Sequence, residues 1–231
     1  MKNWLAALPV YNEVNYVEDV LTEVRKYADN VLVVDDGSSD GTADRLQGWS
    51  NEIDVVRHPK NLGYGAALKT AFSYAIEEGY EFLITLDCDG QHQPKRIPRF
   101  VAACAGTDCG GVDIVSGSRY LRQYEGDDAP PSERLFINRR ITRTINSTLQ
   151  LSLTDTFCGF KAYRVTALAE LDIQDDGYAM PLELWVQAAM RGMRIIEIPV
   201  PLIYLDLERS FGGFLDEAEI RLQYYNEVIE N

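Results

Sequence analysis

Short apolar runs alternate with segments of helical period through the first half of the chain. Residues 4–8 form an apolar run that reads as a buried strand, and residues 9–13 read as the loop after it. Val14, Val17, Leu21 and Val24 then recur at steps of three and four, which places them on one helical face. A β-branched run at 31–34 predicts a second strand, and 53–56 a third, with a short helix between them. Leu68, Ala71, Phe72, Ala75 and Ile76 mark the apolar face of a further helix, which Gly79 is suited to stop. Residues 82–86 read as a fourth strand. Pro94 opens the next helix, where its missing N–H costs nothing, and 113–116 read as a fifth strand. Strands alternating with helices predict βαβ units: an α/β fold with a mostly parallel central sheet flanked by helices.

The second half is less regular. Residues 123–133 hold Gly126, Asp127, Asp128 and Pro130-Pro131 and read as an exposed, mobile loop. Residues 134–153 and 182–190 read as helices. Residues 195–198 and 202–205 read as short strands separated by prolines. Leu215, Ala218, Leu222, Tyr225 and Ile229 mark the apolar face of a C-terminal helix. With no internal repeat and no clear linker, residues 1–231 are expected to form one domain.

Composition removes several classes of function. The chain has 231 residues and a formal charge of −14. So acidic a chain lacks the clustered Lys and Arg of a general nucleic-acid binder. An anionic membrane would repel it on average, so peripheral contact would need a local basic patch. The cysteines Cys88, Cys104, Cys109 and Cys158 form no CxxC pair, and the only histidines are His58 and His92. These suit reduced, buried thiols of a cytosolic protein rather than a zinc site. No signal-peptide pattern and no apolar run of about 18 residues occurs, so no transmembrane segment is expected.

Asp35, Asp36, Asp87 and Asp89 all fall at the ends of predicted strands, on the rim where open α/β sheets bind ligands. In Asp87-Cys88-Asp89, two carboxylates two residues apart can both reach a hard cation such as Mg²⁺ or Mn²⁺ if the strand opens into a turn. Gln91 offers a third oxygen and His92 an imidazole. The same string would also serve as a capped turn with solvated aspartates.

Asp87-Cys88-Asp89-Gly90-Gln91-His92, followed by Pro94, resembles the DxD-type segment of glycosyltransferase family 2. The resemblance is to the branch containing dolichyl-phosphate mannosyltransferases and polyprenyl-phosphate glycosyltransferases. Pro9-Val10-Tyr11-Asn12-Glu13 and Asp35-Asp36-Gly37-Ser38-Ser39-Asp40-Gly41-Thr42 resemble its two nucleotide loops. Asn61-Leu62-Gly63-Tyr64-Gly65 resembles its glycine loop. Gly117-Ser118-Arg119-Tyr120 and Asp155-Thr156-Phe157-Cys158-Gly159-Phe160-Lys161 resemble two later signatures. Any one motif is weak; six in order over residues 4–212 are specific.

The resemblance implies a Rossmann-like GT-A fold, with a nucleotide-sugar-binding half at 1–120, an acceptor-binding half at 121–213 and a C-terminal helix at 214–231. It implies an inverting, metal-dependent transferase using GDP-mannose or UDP-glucose. The implied acceptor is a polyprenyl or dolichyl phosphate at the cytoplasmic face of a membrane. Pro9, Tyr11, Glu13, Asp35, Asp36, Gly63, Asp87, Cys88 and Asp89 would bind the nucleotide sugar, with either Asp35 or Asp36 touching the nucleotide. Asp87, Asp89 and Gln91 would hold Mg²⁺ or Mn²⁺. Arg119, Arg139, Arg140 and Arg209 would meet phosphates, although the cluster Arg139, Arg140 and Arg143 also suits a solvated helical face. Asp155 and Arg119 are the candidate catalytic pair. Asp155 could remove a proton from a hydroxyl acceptor, orient an anionic one, or cap a helix. Glu183 lies in a further stretch, 178–185, that resembles the family. The chain departs from the pattern in Arg209-Ser210-Phe211-Gly212-Gly213-Phe214, which lacks the lysine common in lipid-phosphate mannosyltransferases. The alternatives are a UDP-sugar-dependent transferase acting on a soluble or glycan acceptor and a silent nucleotide-sugar-binding module, against which the intact Asp87, Asp89 and Asp155 argue.

Overall fold

The computed structural model describes residues 3–106, 111–205 and 217–230. Among these, seven strands form one sheet: β1 (Trp4–Val10), β2 (Val31–Asp35), β3 (Asp54–Arg57), β4 (Phe82–Thr85), β5 (Ile114–Ser118), β6 (Lys161–Arg164) and β7 (Ile195–Pro199). Their order is β3-β2-β1-β4-β6-β5-β7. β1 pairs in parallel with β2 and β4, β2 with β3, and β5 with β7, while β6 runs antiparallel between β4 and β5.

The helices are α1 (Val17–Arg25), α2 (Thr42–Gln47), α3 (Tyr64–Glu77), α4 (Ile97–Ala105), α5 (Ser132–Leu149), α6 (Val165–Leu168), α7 (Met180–Met190) and α8 (Ala218–Glu230). A 3-10 turn at Pro94–Arg96 leads into α4. Both sheet faces are covered. Leu5 and Ala7 of β1 pack into the core under α3, α5, α7 and α8, while Ala6 and Leu8 pack on the other face with α1 and α4. Strands buried on two faces read as continuous apolar runs, which is why β1, β2 and β4 stand out in the sequence.

The structure departs from the sequence reading in several places, among them the short helix α6, which that reading lacks. β6 is a strand of four residues, Lys-Ala-Tyr-Arg, too short and mixed to show a period. Residues 202–205 form no strand. Their amides bond to side chains instead: Leu202 N–H donates to Asp127 Oδ1 at 2.9 Å and Tyr204 N–H to Asp128 Oδ2 at 2.8 Å. The loop before α5 is exposed as expected, but these bonds and the 2.9 Å bond from Asp128 N–H to Leu202 O anchor it. Finally, α5 stops at Leu149, short of 153. Asn146 accepts from Leu153 N–H and donates to Leu153 O, at 2.9 and 2.8 Å, which folds the chain back after a left-handed Gln150.

Candidate active site

The carboxyl ends of β1, β2, β4 and β5 open onto one cavity of about 860 Å³. Its first wall is the loop after β1. Here the string from Ser38 to Thr42 is a set of acceptors for that loop. Ser38 Oγ accepts from Asn12 N–H at 2.9 Å, Thr42 Oγ1 from Glu13 N–H at 2.9 Å, and Asp40 Oδ2 from Val14 N–H at 3.1 Å. Backbone amides that no strand or helix would satisfy are thereby paired, and Pro9, Tyr11 and Glu13 are held on the cavity wall.

The two neighbouring aspartates divide their work. Asp35 is fully buried, accepts from Ser38 N–H at 2.9 Å, pairs with Arg57 at 3.1 Å and does not line the cavity. Asp36 does line it. Its carboxylate accepts from Leu62 N–H and Gly63 N–H, both at 2.8 Å, and lies 2.7 Å from His58 Nδ1. Asp36 thus ties the loop after β2 to the glycine loop.

Gly63 and Gly65 are there for space. Gly63 has φ +113°, and a Cβ on it would collide with the carbonyl of Asp176. A Cβ on Gly65 would lie 2.5 Å from Asp175 O. The approaching loop is held by Glu183, whose carboxylate accepts from Gln174 N–H and Asp175 N–H, the latter at 2.7 Å. That loop leads to Tyr178, whose ring stacks on Tyr64 at 5.7 Å. Gly63→Ala meets backbone and an unfavourable φ together, so it is expected to destabilise the protein by about 2 kcal/mol or more. A thermal melt should fall by several degrees; an unchanged Tm would show that this loop is not packed on α3.

Past β4 the chain opens into Asp87-Cys88-Asp89. Tyr64 OH donates to Asp87 Oδ1 at 3.1 Å, and Asp89 Oδ1 accepts from Gln91 N–H at 3.0 Å. Burial, with the Asp87 charge beside it, pushes the Tyr64 hydroxyl well above its usual range, so it remains a donor. Asp87 N–H donates to His92 Nδ1 at 3.0 Å, which occupies that nitrogen and leaves Nε2 facing the Asp87 carboxylate at 3.8 Å. His92 therefore braces the turn. Asp87, Asp89 and Gln91 line the cavity together. This all-oxygen set suits a hard divalent cation whose remaining ligands are water and diphosphate. Among the described residues no cluster of three or more His, Cys, Asp or Glu is placed to hold a metal.

Arg119 follows β5 and also lines the cavity. Asp155 lies behind it, fully buried and off the cavity wall. Asp155 accepts from Arg119 Nε at 2.7 Å, Arg119 Nη2 at 3.0 Å and Asn138 Nδ2 at 2.9 Å. The backbone N–H groups of Arg119 and Phe157 add two more bonds, each at 3.2 Å. Burial alone would raise the carboxyl's pKa, but the Arg119 charge and these hydrogen bonds hold it at about 2. The Asp155 turn is itself fixed from β7: Glu197 accepts from Asp155 N–H at 3.0 Å and from Thr154 N–H at 2.8 Å.

The remaining wall comes from the second half of the chain. Arg134, Ile137 and Asn138 of α5, Tyr204, and Arg221 and Tyr225 of α8 face the same cavity. Sequence reasoning missed these roles. Asn138 had one signal: with Thr142 it breaks the apolar face set by Ile137, Ile141 and Ile145. Tyr225 read as an ordinary apolar position, and nothing local marked Arg221. The structure does not bring Arg139, Arg140 and Arg143 to this cavity; they border a separate depression on the outside of α5. Arg209, Cys109 and Leu215 lie outside the described residues. Cys88, Cys104 and Cys158 are buried and form no disulfide.

Comparison with known proteins accords with this geometry. Residues 6–172 match the family described as Glycosyl transferase family 2. The chain is 31% identical over 228 residues to an undecaprenyl-phosphate mannosyltransferase of Micrococcus luteus, covering 94% of this chain and 91% of that protein. It is 29% identical over 234 residues to a polyprenol monophosphomannose synthase of Mycolicibacterium smegmatis, covering 94% and 84%. Glucosyl-3-phosphoglycerate synthase of Mycobacterium tuberculosis, solved with Mn²⁺, UDP and phosphoglyceric acid, superposes with a TM-score of 0.73 at 17% identity, over 99% of this chain and 77% of that one. The chain belongs to glycosyl transferase family 2. It is a glycosyltransferase with a Rossmann-like GT-A fold.

Proposed function

We propose that the protein transfers mannose from GDP-mannose to the phosphate of a polyprenyl or dolichyl phosphate, with inversion at the anomeric carbon. The observation that carries this reading is the pairing of two sites in one cavity: the Asp87/Asp89 carboxylates and the Asp155-backed Arg119. The names of the relatives from Micrococcus and Mycolicibacterium support the lipid phosphate and the mannose.

Pro9, Tyr11, Glu13 and Asp36 form the pocket for the base and ribose. Mg²⁺ or Mn²⁺ bound at Asp87, Asp89 and Gln91 would offset the charge that builds on the departing diphosphate. Arg119 spends Nε and Nη2 on Asp155 and keeps Nη1 for a phosphate oxygen. Arg134 adds positive charge on the same cavity, where Arg221 is paired with Glu133. An acceptor phosphate oxygen then attacks the anomeric carbon as the bond to the diphosphate breaks. The acceptor is already anionic near neutrality, so no base is required. Asp155, buried and held near pKa 2, is unsuited to accept a proton and serves to orient Arg119. The enzyme's contribution is thus positioning and fixed charge.

The test is release of nucleoside diphosphate from GDP-mannose and UDP-glucose, with Mn²⁺ or Mg²⁺, with and without polyprenyl phosphate. Metal-dependent GDP release that rises with the lipid is expected, and Asp89→Ala should lower it by roughly 10²-fold or more. Turnover indifferent to lipid would remove the lipid acceptor and favour a soluble one. Preference for UDP-glucose would replace the donor. Binding of a donor with no turnover under any condition would leave a nucleotide-sugar-binding module.

A further inference from the structure

α5 has two functional faces. Its inner face gives Arg134, Ile137 and Asn138 to the cavity. Its outer face presents Phe136, Arg139, Arg140 and Arg143, spaced three and four residues apart and therefore in one stripe. Phe136 is 59% exposed, the arginines are exposed, and all four border the outer depression. The helix carries four arginines and one glutamate in 18 residues, within a chain of formal charge −14. That glutamate, Glu133, is paired with Arg221. Among the described residues the three outer arginines form no ion pair with a carboxylate.

From this we infer that the outer face of α5 docks on an anionic lipid bilayer, with Arg139, Arg140 and Arg143 on headgroup phosphates and Phe136 set among the headgroups. The inference rests on the lipid-phosphate acceptor proposed above and names the surface that meets the lipid. Two features favour a bilayer over a nucleic acid or an acidic protein. An exposed aromatic among arginines suits the headgroup region, where an apolar ring and cationic side chains are both satisfied. In addition, docking by this face holds the cavity wall, on the other side of the same helix, one helix diameter (roughly 10 Å) from the headgroups that a prenyl phosphate shares. The overall negative charge does not prevent this. At physiological ionic strength charges more than about 8 Å away are largely screened, so the local stripe decides.

Flotation with vesicles tests it. The full chain is mixed with vesicles of phosphatidylcholine alone, or with about one-third phosphatidylglycerol. Binding to the anionic vesicles only, weakened by salt, is expected. Each arginine near an anionic surface adds roughly fivefold in partition, so Arg139→Ala/Arg140→Ala/Arg143→Ala should lower it by roughly a hundredfold. The matching triple lysine variant should retain binding, which separates charge from any effect on folding. Phe136→Ser should weaken binding severalfold. Equal binding to neutral vesicles, an unaffected triple alanine variant, or binding to RNA but not to vesicles would overturn the inference. Turnover of the unsubstituted protein with a water-soluble short-chain prenyl phosphate, without vesicles, reports separately on the acceptor. If that turnover is present, failure to bind vesicles sinks only the docking surface; if it is absent, vesicle binding leaves the surface standing and the acceptor reading falls.

Discussion

Gly159→Ala is expected to leave the protein folded and to remove most of the metal-dependent turnover proposed for it. Gly159 is not one of the positive-φ glycines, so no strain arises from the backbone. It is a glycine because the Asp87 carboxylate rests against its Cα: a Cβ there would lie 2.6 Å from Asp87 Oδ1 and closer still to Oδ2. The backbone has little freedom to retreat. Gly159 O accepts from Thr85 Oγ1 at 2.9 Å, and Lys161, two residues on, is paired with Thr85 in the sheet. The side chain of Asp87 must give way instead. A carboxylate can rotate cheaply, so the loss of stability should be small, on the order of 1 kcal/mol. The functional loss should be much larger, because the rotation breaks the bond from Tyr64 and moves one of two carboxylates proposed to hold the metal. Displacement by about 1 Å in a preorganised site costs roughly 10²-fold in rate. Paired measurements of Tm and of kcat against metal concentration check this. Full turnover in the variant would show that the position of Asp87 is not used. The contrast with Gly63→Ala is instructive: there the obstacle is backbone, and the loss appears in stability.

The sequence made the elements legible where burial leaves a local pattern. β1, β2 and β4 are buried on both faces and appear as unbroken apolar runs, and the apolar stripes of α1 and α3 appear at helical spacing. β6 left no such trace, since four mixed residues gain their strand character only from β4 and β5 on either side. Residues 202–205 have apolar strand-like composition, but Asp127 and Asp128 take amides there that a ladder would have used. Site residues followed the same rule. The motif aspartates and glycines were visible through the order of six motifs along the chain, since turn chemistry alone would explain any one of them. The choice between Asp35 and Asp36 was not, because it depends on which side of the strand end faces Gly63. Arg139, Arg140 and Arg143 illustrate the limit most plainly. Sequence shows an arginine cluster; only packing shows that Asn138, one residue away, faces inward while the cluster faces out.

Arg119→Met should be the most destabilising of these changes, and its cost should depend on pH. Arg119 and Asp155 are 36 residues apart and meet only because β5 and the turn before β6 are neighbours. The pair is bidentate and its carboxylate is fully buried. Removing the guanidinium strands a buried charge, at about 3–5 kcal/mol near neutral pH. In the unsubstituted protein the Asp155 pKa is lowered from 3.8 to about 2. Its ionised form therefore stabilises the fold above pH 4, and that contribution is lost as the pH falls from about 4 towards 2. In the variant the sign reverses. With the Arg119 charge gone, burial is opposed only by the bonds from Asn138 and the backbone and raises the carboxyl above its unfolded value, so protonation relieves the fold as the pH falls. The gap in Tm between the two proteins should accordingly be widest near pH 7 and narrow towards pH 3. Adding Asp155→Asn to Arg119→Met removes the stranded charge and should recover much of the stability. It should not recover turnover, because the guanidinium proposed to meet the phosphate is still missing. A constant Tm gap across this pH range would show that Asp155 is not ionised against Arg119, and recovered turnover in the double variant would show that Arg119 acts only by holding the fold.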